Sequence, residues 1–224
     1  NPKEFLFVYI SRLNQESHLL EIFTLLGIPK ENIIKIETPT KFEKIIVPEP
    51  SLRLNDYYHE DFRKSVAVNY KQNKKNKKIF FTRSNKNGRS FGQFFIDKLM
   101  FNNGYEIINA EKFSLVEICK ILQNCSHFAS TSGTNMSNSI FLPKGSKVIC
   151  FNRSSHLHPL QLMIDKMLEL DIEYVDCHFK SKRINFSSGP YFFWPSKTFL
   201  SFSSKFPKKV NNLSLFARYF LVII

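Results

Sequence analysis

The chain has 224 residues, 43% of them hydrophobic, which is enough to bury a sizeable core and excludes global disorder. A formal net charge of +13 favours anionic partners such as nucleotide phosphates, nucleic acid or an acidic lipid surface. Four widely spaced cysteines without a Cys-x-x-Cys pair argue against structural zinc and read as buried free thiols of a reducing compartment, and no apolar run reaches the roughly 20 residues of a bilayer span.

In chain order, Phe5 to Ile10 reads as a strand and Glu16 to Leu26 as an amphipathic helix stopped by Gly27-Ile28-Pro29. Ile33 to Ile36 and Ile45 to Val47 read as further strands. The chain opens at Asn1 rather than Met, and residues 1–70 supply too few strands for a sheet covered on both faces, so a partial N-terminal α/β domain is expected. A lysine-rich linker over 71–78 follows, a composition that suits a solvated spacer.

From 79 to 179 short β-rich runs alternate with amphipathic stretches. The predicted strands are Ile79 to Arg83, Tyr105 to Ile108, His127 to Thr131, Lys147 to Phe151 and Ile172 to Asp176. They begin roughly every 20–26 residues, the spacing of repeated βαβ units. Helical stripes lie between them at Phe91, Phe94, Phe95 and Leu99, then Leu115, Ile118, Cys119 and Leu122, then Leu157, Leu160, Ile164, Met167 and Leu168. Gly104 suits the close of the first helix, and Ser114-Leu115-Val116-Glu117 is a capping box opening the second. The expected fold class is therefore α/β, with a Rossmann-like domain over 79–179. Residues 180–224 lose the period and become a Ser/Lys/Phe mixture, expected either to pack on the first domain or to sit at a membrane surface.

Ligands of open parallel sheets bind beyond the carboxyl ends of the strands. Those ends are Arg83 to Arg89, Ser132 to Asn135, and Asn152 to His158. In the second, an apolar strand runs into Ser132-Gly133-Thr134-Asn135 and then a short helix, and N–H groups and hydroxyls at a helix start suit phosphate or another anion. Asn138, one turn on, is placed to face either the ligand or the cap. Arg83 and Arg89 carry guanidinium forks that suit phosphate oxygens, or would pair with a carboxylate.

Lys78 to Arg83, Arg89, Gly104 to Ile108, Ala110 to Leu115, Ser132 to Asn135, Asn138, Phe141 and Val148-Ile149, in that order, resemble the C-terminal half of glycosyltransferase family 61. The bacterial branch of that family is the capsular polysaccharide biosynthesis type. Residues 16–50 are similar more loosely, through Leu26-Gly27-Ile28 and Ile46-Val47-Pro48. The resemblance implies a GT-B-like two-domain fold and inverting, metal-independent transfer from a nucleotide-sugar donor to a cell-surface polysaccharide or glycan acceptor. The nucleotide sugar is then a substrate, and no separate cofactor is expected. Donor contacts are implied for Arg83, Arg89, Ser132, Gly133, Thr134, Asn135 and Asn138, with Glu111 at the ribose or base. A cytoplasmic protein, peripheral at the inner membrane through an acidic surface, would fit that role.

Inverting transfer needs a general base for the acceptor hydroxyl and donors for the departing diphosphate. Where bacterial relatives carry Gly-Glu after the second Arg, this chain has Gly92-Gln93, and an amide cannot serve as a base. Ser137 and Ile118 stand where relatives carry His and Gln. Asp97, one helical turn beyond Gln93, and His156, with His158 near it, are the alternative bases. Two other functions compete: a non-catalytic nucleotide-sugar binder, and a basic nucleic-acid-binding protein. The second needs aromatic and basic residues on one exposed face, whereas most of the 24 Phe fall at core positions, so no nucleic acid is expected as partner.

Overall fold

A computed structural model describes residues 5–9, 16–54, 56–67, 77–83, 90–154, 156–178, 191–193 and 195–206. The N-terminal unit pairs β1 (Phe7–Tyr9) in parallel with β2 (Ile33–Lys35) through helix α1 (Glu16–Leu25). Phe7 and Tyr9 alternate onto one face and both meet Phe23 of α1, with ring centroids 6.2 and 6.3 Å away. Ile45 to Val47, expected as a strand, is irregular, and Val47 is 83% exposed. Among the described residues no strand lies beside it to complete a ladder. The hairpin of β3 (Leu52–Arg53) and β4 (Tyr57–Tyr58), and α2 (Glu60–Ala67), follow without a signal in the apolar period.

The larger unit is a five-stranded parallel sheet. Its strands are β5 (Lys77–Thr82), β7 (Glu106–Asn109), β8 (Cys125–Thr131), β9 (Lys147–Asn152) and β10 (Asp171–Asp176), with a two-residue β6 (Ser90–Phe91) of another sheet between β5 and β7 in the chain. The order is β10-β9-β8-β5-β7. The first strand therefore lies inside the sheet, with the second on one side and the third on the other. That reversal, between β5 and β8, is the topological switch point of a doubly wound fold. Alternation along β5 feeds two cores. Ile79 and Phe81 enter one with Phe128 and Leu122, and Phe80 enters the other with Ile96, Phe151 and Phe193. A parallel sheet buried on both faces is the result.

Helix α3 (Gln93–Asn102) corrects one predicted stripe. Gly92 takes φ +85° and starts the helix at Gln93, so Gln93, Ile96, Leu99 and Met100 are buried while Phe94 is 67% exposed. Phe91 belongs to β6 instead. Helix α4 (Leu115–Gln123) buries Ile118, Cys119 and Leu122 as predicted, and both bonds of its capping box form. Glu21 of α1 accepts from the Leu115 N–H at 2.9 Å, tying the N-terminal unit to the start of α4. A short α5 (Thr134–Ser137) precedes α6 (Pro159–Leu168), which buries Ile164, Met167 and Leu168.

The C-terminal region also departs from expectation. β11 (Tyr191–Phe192) pairs with β6, and α7 (Lys197–Ser204) presses Phe199 and Phe202 into the core around Phe80 and Phe151. Residues 191–206 thus cover the large sheet rather than the N-terminal unit, because the face beside α3 would otherwise leave Phe151 open. Residues 207–224 and positions 71–76 of the linker expected over 71–78 fall outside the described residues, while Lys77 and Lys78, expected in that linker, open β5. The four cysteines are buried and form no disulfide.

Candidate active site at the sheet switch point

Strands β5 and β8 end side by side, and two side chains converge there over a glycine. Gly133, just past β8, has φ +116°, a region L side chains rarely adopt. Arg153 Nη2 occupies the space that a Cβ on Gly133 would need, and Arg83 Nη2 lies 3.1 Å from that same point. Two guanidinium groups from the exits of β5 and β9 therefore meet over a residue with no side chain. Burial, and next the Arg83 charge, push the Arg153 guanidinium down to about 10. Bringing like charges together in a half-buried crevice is unfavourable unless an anion joins them.

The surrounding polar groups support that reading. Arg83 Nε and Thr131 Oγ1 are buried and have no hydrogen-bond partner among the described residues. Ser132 is held from two sides: its N–H donates to Phe151 O at 2.9 Å, and its Oγ accepts the Arg153 N–H at 3.1 Å. Thr134 is exposed at the start of α5. Because α5 is only four residues long, the positive charge comes from the two arginines and little from a helix dipole.

Two predicted donor contacts are committed elsewhere. Asn135 is 6% exposed and donates to Thr82 O at 3.0 Å, bracing the turn against β5. Asn138 donates to the carbonyls of Asn135 (3.2 Å) and Thr134 (3.4 Å), so its amide closes the helix. Glu111 is exposed at the exit of edge strand β7, and its N–H donates to Asn109 Oδ1. Arg89 lies outside the described residues.

Asp97 is anchored at the same end of the sheet. Its two carboxylate oxygens accept from Thr82 Oγ1 and from Gln93 Nε2, each at 2.7 Å. Burial raises its pKa, and these two bonds partly oppose the shift. Gln93 and Asp97 are therefore in direct contact, and a carboxylate lies one turn beyond the amide. His156 is exposed with its carbonyl accepting from Ser154 Oγ, and His158 caps α6 by accepting the Leu160 N–H. Among the described residues no three His, Cys, Asp or Glu side chains gather as a metal site would require.

Residues 4–149 match the family model Glycosyltransferase 61, about two thirds of the chain, including the Gly133 turn and the exit of β5. The chain belongs to glycosyltransferase family 61. It is thus a glycosyltransferase, and the match begins in the N-terminal unit, well ahead of the segment whose resemblance is most evident. No curated protein matches the chain. The family match stops inside β9, before Arg153, a residue that local pattern did not single out beside His156 and His158. Its place directly after a predicted strand was the available signal.

No helix among the described residues is long and apolar enough to cross a membrane.

Proposed function

We propose that this family 61 glycosyltransferase binds the diphosphate of a nucleotide-sugar donor between Arg83 and Arg153 and transfers the sugar, with inversion, to a glycan acceptor. The observation that carries this reading is the convergence of two guanidinium groups over Gly133 at the switch point. Forks of this kind bind phosphate oxygens bidentately and neutralise the charge that grows on a departing diphosphate, the part a divalent cation plays elsewhere. Ser132 fixes the backbone under Arg153, and Thr134 offers a hydroxyl at the open side of the turn. Arg89, six residues beyond Arg83 in sequence, is a third cation for the same phosphates, and Glu111 is assigned to the ribose.

Asp97 is the general base of the proposal. Burial moves its proton affinity toward the neutral range where a base is most effective, and its oxygens keep acceptor capacity beyond the bonds to Thr82 and Gln93. A bacterial cell-surface polysaccharide as acceptor, a two-domain GT-B-like arrangement and a cytoplasmic site beside an acidic membrane complete the reading. They follow from the family resemblance and the charge of +13.

The test is release of free nucleotide from a panel of nucleotide sugars with a glycan acceptor. One donor is expected to turn over in the wild type, and Arg83→Ala and Arg153→Ala should each lower kcat/KM by about 10²-fold. Tight donor binding with no release from any member of the panel would establish the non-catalytic alternative.

A further inference from the structure

We propose that Tyr191 is a positioning residue of the donor site, holding the Arg153 guanidinium over Gly133 through its ring face. The inference rests on the reading of the crevice as a diphosphate site. Arg153 Cζ stands 3.9 Å from the Tyr191 ring centroid, and Tyr191 is 9% exposed. Arg153 needs such a hold. Arg83 repels it, the crevice desolvates it, and a long side chain free to rotate would swing toward water. An aromatic face attracts a guanidinium, and most strongly where water is excluded.

The ring is itself fixed by an unusual amount of structure for three residues. Tyr191 pairs with Ser90, and the Phe192 ring stacks on Phe91 at 4.9 Å and 9°. The Phe193 N–H donates to Phe91 O at 2.9 Å, and Phe193 bridges antiparallel to His178. Phe193 O lies 3.1 Å from where a Cβ on Gly92 would stand, so a residue with a side chain at 92 would push the segment away. Residues 191–193 are thus seated between the end of β10 and the start of α3. Both Arg153 and Tyr191 lie beyond the family-matched residues 4–149. One of the two cations, and the ring that aims it, are therefore supplied by the part of the chain after that match.

The experiment is calorimetric titration of the full chain with inorganic pyrophosphate. Tyr191→Phe keeps the ring face and is expected to bind within about twofold of wild type, whereas Tyr191→Leu keeps apolar volume and should bind about fivefold more weakly. A role in packing alone would leave the two variants equal, and that result would overturn the inference. Arg153→Lys keeps the charge but loses the planar face, so it should also weaken binding, and it carries the test if Tyr191→Leu fails to fold. Unchanged affinity in Arg153→Lys then overturns the proposal. Arg83→Ala separates the two levels. If wild type does not bind pyrophosphate, or Arg83→Ala binds equally well, the diphosphate reading itself fails. If Arg83→Ala weakens binding while the ring and lysine variants do not, only the role of Tyr191 fails.

Discussion

At the scale of single residues, Gly133 and Asp97 carry the sharpest consequences. Gly133→Ala meets both a left-handed backbone and a guanidinium already in the Cβ position. Relief by moving Arg153 is expected to weaken donor binding about tenfold or more, with strain of about 1–3 kcal/mol in the turn. Donor titration together with urea denaturation would separate the two effects. Asp97→Asn should keep the fold, because the new amide can still accept from Thr82, and Gln93 Oε1, without a hydrogen-bond partner among the described residues, can turn to accept from it. Nucleotide release should nonetheless fall about 10²–10⁴-fold with donor affinity retained, as loss of a base requires. The pH dependence has a definite sign. A folded pKa raised above that of the unfolded carboxyl means that the native state keeps a proton the unfolded state has lost, so stability falls as pH rises through that window. Urea midpoints between pH 4 and 7 should show that decline in wild type and a flatter profile in Asp97→Asn.

Among the elements, legibility followed the strength of the periodic signal. The capping box at Ser114 and the five strands were readable because side-chain period and turn chemistry agreed. Helix α3 was misphased because Gly92, in its left-handed conformation, delays the helix until Gln93 and turns Phe94 outward. The site was legible at Arg83 and in the Ser132 to Asn135 turn, where a strand exit can be read from local pattern. Arg153 and Tyr191 were not, since the contact between them joins residues far apart in sequence and depends on β11 reaching β6. Asn135 illustrates the limit in the other direction. A polar residue in an anion-type turn proved to be a brace to Thr82, which no spacing rule reveals. Helix α7 had no readable period in its sequence surroundings, yet Phe202 is 3% exposed and meets Phe151 edge-on at 5.5 Å. Phe202→Ala is expected to destabilise the protein by about 3–5 kcal/mol, measured by chemical denaturation.

Over the whole molecule, two cores lie on opposite faces of one sheet, and each encloses its own thiols. Cys125 and Cys150 belong to the core beneath α4, whereas Cys177 belongs to the core that α7 covers together with Phe199 and Phe202. Burial pushes Cys125 and Cys150 up to about 12 and raises Cys177 as well, so reactive thiolate is scarce in the native state. The pair of faces therefore acts as a two-channel clock for opening. If α7 lifts away by itself, a thiol reagent followed by peptide mass mapping will mark Cys177 while Cys125 and Cys150 stay silent, and Phe202→Ala will quicken the first channel far more than the second. Equal rates at all three would mean that the faces open together, making the C-terminal helix as permanent a wall of the enzyme as the sheet it covers.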